Sequence, residues 1–291
     1  MTDIGFPDGE PLDGDPQAPT PNVRKGPFPW STLHGDALSY SLLKHMQESP
    51  AKFRWYCEHE FVPRRGTAMG NIVDRAVLGG TPVTIYEGQR RGSEWKAFAA
   101  VHHRESIATR SEVDACEEAI DAIKTAPHNL YALSWLEGDK QVPLEWEMCG
   151  FKFRTRGLDV LRRDPCRIVD LKTGPAEPSL LQWQSRKMGY QLQLGCYDAA
   201  ARYNGLEPLQ LALVSLEMKP PYCATVFEIG PDVLADVRRL IVELTDKIKR
   251  CLDRNQWPGP AVDASGYATS VMAQPGAMAA VTGIDDLEDG D

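Results

Sequence analysis

Apolar residues recur every three or four positions in several segments of the first half of the chain. This is the spacing of one buried helix face. It predicts helices over residues 39–49, 67–78, 93–104 and 111–124. Ser49-Pro50 ends the first of these segments, and Ser111 is a plausible cap for the last. The N-terminal half is therefore predicted to be mainly helical.

From residue 142 the pattern changes to alternation of apolar and polar side chains, which is typical of half-buried strands. Three consecutive strands are predicted over residues 142–148, 151–161 and 166–173. One long helix over 179–203 follows, then strands over 209–218 and 222–229, and a closing helix over 231–251 with Pro231 in its first turn. The predicted order of the core is α-β-β-β-α-β-β-α, an α/β fold.

Charge is distributed unevenly along the 291 residues. The chain has 32 Lys and Arg residues against 41 Asp and Glu, a formal net charge of −9. Residues 1–22 and 258–291 together carry eleven of the acidic residues and no basic one, so we expect a disordered acidic leader and tail. The segment 23–257 keeps 30 acidic and 32 basic residues, a net charge of +2, and its length fits one α/β domain. The acidic total therefore does not argue against a nucleic-acid partner.

Several classes of protein lose their usual sequence support. The chain has no run of 18 apolar residues and no secretory signal pattern, so we expect no membrane contact and a cytoplasmic location. The seven cysteines are widely separated and never form C-x-x-C, which predicts free thiols rather than disulfides, a zinc site or an iron–sulfur cluster. No H-E-x-x-H, G-x-S-x-G, P-loop or G-x-G-x-x-G motif occurs.

Two carboxylates and a lysine converge on neighbouring predicted strands. Asp170 and Lys172 are two positions apart on the third strand, so their side chains point to the same side of the sheet. The adjacent antiparallel strand brings Asp159 beside them. Such an oxygen-rich strand end suits Mg²⁺, and the lysine can stabilise negative charge on a phosphate. The alternative is a solvated strand end with one surface ion pair.

The tripeptide alone is a weak signal, because [DE]-x-K also occurs at Glu94-Trp95-Lys96 and Glu217-Met218-Lys219. The first lies in a helical pattern, where positions two apart do not share a face. The second has no Asp on the preceding hairpin arm. On the long helix, Tyr190, Gln193 and Tyr197 share one face, where they either support the carboxylates or contact phosphate. Taken alone, Gln193 could equally be an amide at the edge of the core.

These motifs together resemble the PD-(D/E)XK nuclease superfamily, in the branch with RecB-type, RecE-type and phage-lambda-type exonucleases. The resemblance covers residues 36–229. It implies a restriction-endonuclease-like core, with a central mixed β-sheet flanked by helices, behind a helical N-terminal part. The matching elements are Gly70-Asn71-Ile72-Val73-Asp74, Asp159, Asp170-Leu171-Lys172 and the Tyr190, Gln193 and Tyr197 helix face.

The resemblance also implies roles for individual residues. Asp159, Asp170 and the Leu171 carbonyl are expected to bind Mg²⁺, with Mn²⁺ as a substitute, and Lys172 is expected to be the catalytic lysine. Asp74 stands where this branch usually has His; it is either a further metal ligand or a solvated helix residue. The iron–sulfur members of the branch use a cysteine cluster that this sequence lacks.

Basic residues near these motifs predict a groove for DNA phosphates, although each one alone could be a solvated surface charge. Trp30, Trp55 and Tyr56 are candidates to stack a base at a strand end. The predicted DNA-binding residues are Lys44, Arg54, Arg154, Arg156 and Arg186.

The sequence therefore predicts a Mg²⁺-dependent DNA exonuclease that acts on DNA ends, as in RecE-type or phage-type recombination. A single-strand annealing protein is the partner expected from such systems, and a homo-oligomer is expected by analogy. The alternatives are a PD-(D/E)XK endonuclease and, on the strength of Asp74, a DNA-binding protein that has lost catalysis.

Overall fold

A computed structural model describes residues 28–59, 65–80, 82–102 and 106–260. The predicted acidic leader lies outside the described residues, as does the predicted tail from residue 261 onward.

Helices make up most of the N-terminal half, and their caps follow from the sequence. Ser49 accepts a hydrogen bond from Lys52 N, and Pro50 occupies the first helical turn, so Ser49-Pro50 ends one helix and begins the next. The helix expected to start at Ser111 is capped instead by Thr109 in a capping box with Glu112. The helices are α1 (Ser31–His34), α2 (Tyr40–Glu48), α3 (Pro50–Glu58), α4 (Arg65–Leu78), α5 (Gly92–Val101), α6 (Arg110–Thr125) and α7 (Leu130–Ser134).

Two short strands between these helices were not predicted from the sequence. They are β1 (Thr84–Tyr86) and β2 (Ile107–Thr109), which pair in parallel. Each has only three residues, too few to establish a clear alternation of apolar and polar side chains.

The C-terminal half forms a five-stranded mixed sheet in the order β3-β4-β5-β6-β7. The β5–β6 pair is parallel and the other pairs are antiparallel. This mixed sheet with helices around it confirms the predicted fold class. Its elements are β3 (Asp139–Met148), β4 (Phe151–Arg163), β5 (Cys166–Thr173), α8 (Pro178–Met188), α9 (Tyr190–Tyr203), β6 (Gln210–Leu216), β7 (Ala224–Glu228) and α10 (Pro231–Arg254).

The prediction of a single helix over residues 179–203 is wrong, because the helix is interrupted at Gly189. Gly189 has φ +72°, the left-handed conformation that ends α8 and precedes α9. The Tyr40 hydroxyl donates a hydrogen bond of 2.9 Å to the Met188 carbonyl at the same place. A glycine tolerates this conformation without steric cost, so the helical pattern on both sides concealed the break.

Apolar layers cover both faces of the sheet. Helices α2, α9 and α10 contribute to a cluster around Phe53, Phe153 and Leu192. On the other side, Val73 of α4 and Ile120 of α6 pack with Val160, Val169 and Val214 of the sheet. No helix in the described part of the chain is long and apolar enough to cross a membrane.

Candidate active site

Asp170 and Lys172 lie side by side near the C-terminal end of β5. The Asp170 side chain is completely buried, and that of Lys172 is 19% exposed. The Lys172 Nζ lies 2.6 Å from Asp170 Oδ2. The alternation of β5 thus places both groups on one side of the sheet, and a buried carboxylate has its counter-charge in direct contact.

Asp159 reaches the same place from β4. Its Oδ2 accepts a hydrogen bond of 2.8 Å from the Leu171 backbone N–H, and its Oδ1 accepts one of 3.2 Å from the Gln141 amide. The backbone pairing of β4 with β5 ends at Val160 and Val169. Beyond that point the Asp159 side chain, and not the backbone, accepts the hydrogen bond from β5. Within a strand the N–H and C=O of one residue point to the same side, so the Leu171 carbonyl also faces the β4 side.

A close approach of two strands positions Gln141. Gln141 has φ +50°, and the register of β3 against β4 shifts between Val142 and Leu144. A Cβ atom at Gly157 would lie 2.9 Å from the Gln141 carbonyl carbon, closer than real contacts allow. Only glycine therefore fits at this point of β4, and the irregularity directs the Gln141 amide toward Asp159.

Helix α9 supports the carboxylates from the side. The Gln193 Nε2 donates hydrogen bonds to Asp170 Oδ1 at 2.8 Å and to the Tyr197 hydroxyl at 2.7 Å. The Lys172 Nζ lies 5.1 Å from the centre of the Tyr190 ring, within cation–π range. Gln193 and Tyr190 thus contact the Asp170 and Lys172 pair directly, and Tyr197 contacts it through Gln193.

Negative charge is in excess at this site. Burial opposes the charge on Lys172, but Asp170 and Asp159 outweigh it and raise the pKa of Lys172 to about 12. Burial, followed by the charge of Asp159, raises the pKa of Asp74 on α4 to about 7, while Lys172 opposes this rise. Burial likewise raises the pKa of Asp170, again against Lys172. Three carboxyl groups thus share one nearby ammonium.

The donor set fits a divalent cation such as Mg²⁺. No three His, Cys, Asp or Glu side chains gather into a metal cluster among the described residues. Mg²⁺ does not require such a cluster, because it typically takes one or two carboxylates and keeps several waters. Asp159 and Asp170 meet that need, with the Leu171 carbonyl beside them. A cation there would oppose both the burial and the Asp159 charge that raise the pKa of Asp74.

The structure brings some of the predicted DNA-binding residues to the site and leaves others elsewhere. Lys44 lies near Lys172, and burial, then Lys52, then Lys172 lower the pKa of Lys44. Arg54 forms an ion pair with Glu58 of the same helix at 2.6 Å, and Arg154 donates to the His34 carbonyl. Arg156 on β4 and Arg186 on α8 are exposed.

Three aromatic residues were expected to stack a base, and the prediction for Trp30 is wrong. Its side chain is fully buried between Phe28, Phe53 and Phe151 because the N-terminal segment packs into the core. Trp55 is 49% exposed and stacks on His59, and Tyr56 stacks on His45.

Sequence reasoning missed the residues that hold the carboxylates from outside the motifs. Gln141, which donates to Asp159, lies one residue before the predicted start of its strand. Thr155 forms a hydrogen bond with Tyr197. Tyr40 is partly buried near Asp170, and burial followed by the charge of that carboxylate raises the pKa of Tyr40. Gly157 was the available signal, since a glycine inside a strand often marks a bulge or a close backbone approach.

Comparison with known proteins identifies the family and the fold of the chain. No curated protein sequence matches the chain significantly. A crystal structure of a “putative exonuclease” from Eubacterium rectale matches with a TM-score of 0.56 and 14% identity, over 85% of this chain and 93% of its own. At that identity the match shows a shared fold. A family model described as a PDDEXK-like domain of unknown function (DUF3799) matches residues 39–267. The chain therefore belongs to the DUF3799 family of PDDEXK-like domains.

Proposed function

We propose that this protein is a divalent-metal-dependent deoxyribonuclease whose active site is formed by Asp159, Asp170 and Lys172. The observation that carries the proposal is the buried Asp170 carboxylate in contact with Lys172, with Asp159 held beside it by the Leu171 N–H. Membership of a PDDEXK-like family and the fold shared with a “putative exonuclease” support a nuclease-type function.

The carboxylates and the lysine have different proposed roles: the carboxylates bind the cation and the lysine faces the phosphate. Asp159, Asp170 and the Leu171 carbonyl would hold Mg²⁺ or Mn²⁺, with Asp74 as a further carboxylate. Such a cation supplies Lewis-acid stabilisation of a phosphate oxygen and lowers the pKa of water. Lys172 keeps its proton at neutral pH, because its pKa is raised to about 12. It therefore acts as a fixed positive charge toward the phosphate rather than as a base.

Two side chains keep these groups in position. Gln193 donates to Asp170 Oδ1, which leaves the other oxygen of that carboxylate toward Lys172. The Tyr190 ring lies beside the Lys172 ammonium. Lys44 is the proposed phosphate contact whose charge interacts with that of Lys172, and we assign Arg54, Arg154, Arg156 and Arg186 to other parts of the DNA.

We further propose that the enzyme is an exonuclease that degrades DNA from its ends in recombination of the phage or RecE type. The motif resemblance to that branch supports this assignment. A single-strand annealing protein as partner and a homo-oligomeric assembly are part of the same proposal.

The decisive experiment offers the protein linear and covalently closed circular DNA of one sequence with Mg²⁺. Loss of the linear form alone is the expected result and indicates an exonuclease. Cleavage of both forms would indicate an endonuclease. Cleavage of neither, with Mg²⁺ or Mn²⁺, would overturn the nuclease proposal in favour of a DNA-binding protein without catalysis.

Site variants test the assigned residues in the same assay. Asp170→Asn removes a charge at nearly constant shape, and Lys172→Ala removes the ammonium; each should lower hydrolysis at least about 100-fold, since each removes a charge at the reacting centre. Lys219→Ala is the matched control, because Lys219 is the exposed lysine of the [DE]-x-K tripeptide that follows β6. Its activity should equal that of the wild type. Full activity of either site variant would refute the assigned site.

A further inference from the structure

Helix α8 carries an apolar and cationic surface that the proposed catalytic site does not use. Leu180, Trp183 and Lys187 are three and four positions apart and share one exposed face, which we call the α8 platform. Trp183 is 59% exposed and Leu180 is 47% exposed. The Lys187 Nζ lies 4.6 Å from the centre of the Trp183 ring. Leu180 and Trp183 thus form a small exposed apolar patch with the Lys187 ammonium against the tryptophan ring.

The platform helix is positively charged near its C-terminal end. The helix Pro178–Met188 contains Arg186 and Lys187 and no acidic residue. The carboxylate of the preceding Glu177 caps the helix, because it accepts hydrogen bonds from the backbone N–H groups of Ser179 and Leu180. The surface is therefore complementary to an anionic partner.

The side of α8 that adjoins the platform connects it to the catalytic constellation. Gln184 lies against Gly174, directly after β5, and its Nε2 is 3.4 Å from the Tyr190 hydroxyl. The Tyr190 ring in turn lies beside Lys172. At the other end of α8, Gly189 lies next to the Lys44 side chain. A polymer bound at Lys172 and Lys44 can therefore continue along α8.

We propose that the α8 platform binds an unpaired strand of the DNA substrate, with one base stacked on Trp183 and adjacent phosphates near Arg186 and Lys187. This inference rests on the proposed nuclease function and extends it to the form of the substrate. The positive charge and the continuity with the phosphate site select a polyanion. The open tryptophan ring selects an unpaired base, because the bases of a duplex already stack on each other.

The test measures binding without hydrolysis. Fluorescence anisotropy in EDTA compares a labelled 20-nucleotide single strand with a blunt duplex of the same sequence. Trp183→Ala should weaken single-strand binding about 5- to 150-fold, the range for loss of one stacked base. Trp183→Phe should recover most of the affinity. Duplex affinity should change less than about threefold, and Lys187→Ala should reduce the salt dependence of single-strand binding by about one phosphate contact.

Tyr131→Ala is the matched control for the loss of an exposed aromatic ring. Tyr131 is 67% exposed and contacts Trp135, which stacks with Arg167 at the opposite end of β5. Its single-strand affinity should equal that of the wild type. Unchanged single-strand affinity of Trp183→Ala, or an equal loss for both forms of DNA, overturns the platform. Hydrolysis by wild type in Mg²⁺ would then still support the nuclease function, whereas its absence would count against the nuclease function itself.

Discussion

At the scale of single residues, Gln193 shows how the tertiary structure combines two interpretations of one side chain. The sequence leaves it as either an amide at the edge of the core or a contact to the site. The structure shows that it is half-buried and donates to both Asp170 and Tyr197. A buried carboxylate that loses a donor becomes harder to keep ionised, so this amide contributes to the charge state of Asp170.

Gln193→Ala should therefore lower hydrolysis about 10- to 100-fold and raise the Mg²⁺ concentration needed for half-maximal rate, as is common when the partner of a metal-binding carboxylate is removed. Tyr197→Phe is the control, because it removes only the hydroxyl that accepts from Gln193. It should have a smaller effect on both quantities. A Mg²⁺ requirement unchanged in Gln193→Ala would contradict a role for Gln193 in positioning Asp170.

At the scale of secondary-structure elements, the break between α8 and α9 fixes the relation between the α8 platform and the site. Apolar periodicity continues through both helices, and Gly189 changes their direction with φ +72°. A Cβ atom there would lie 3.4 Å from the Tyr40 hydroxyl and 3.7 Å from Lys44. Glycine adopts the left-handed conformation without strain, and it leaves the space beside these two side chains open.

Gly189→Ala should destabilise the protein by about 1–2 kcal/mol, because L-residues pay this much in the left-handed conformation. Gly205→Ala is the matched control: Gly205 has φ +76°, and an added Cβ there would meet nothing within 4 Å. Urea unfolding should show similar losses of stability for both variants. DNA hydrolysis, measured well below the unfolding transition, should fall only in Gly189→Ala. Equal activities would show that the break matters for stability alone.

At the scale of the whole molecule, the acidic excess of the sequence is confined to residues 1–22 and 258–291. The net charge of −9 belongs to a chain whose segment 23–257 carries +2. Residues at the C-terminal edge of this segment contact α3. Trp257 stacks on Phe53, and the Pro258 carbonyl accepts a hydrogen bond of 2.9 Å from Ala51 N. A truncation that preserves the fold should therefore keep residues 23–260.

The protein reduced to residues 23–260 should bind DNA more tightly than the full chain at low salt, because it loses eleven acidic residues and no basic one. The gain should shrink as salt is raised, since the Debye length falls to about 8 Å at physiological ionic strength. A full-length variant with the same eleven residues changed to Asn or Gln separates charge from chain length. Identical affinity of all three proteins at low salt would leave the acidic ends without effect on binding.

The sequence by itself determined the α/β class, the order of the core elements apart from the break at Gly189, and the shared strand face of Asp170 and Lys172. These follow from local periodicity and from the rule that alternate strand residues share a face, both of which depend only on near neighbours. Tertiary structure alone decided the burial of Trp30, the break at Gly189, the approach of Gln141 to Asp159 past Gly157, and the position of α8 beside Tyr190. Each of these depends on contacts between segments distant in the chain, which no local pattern of side chains specifies.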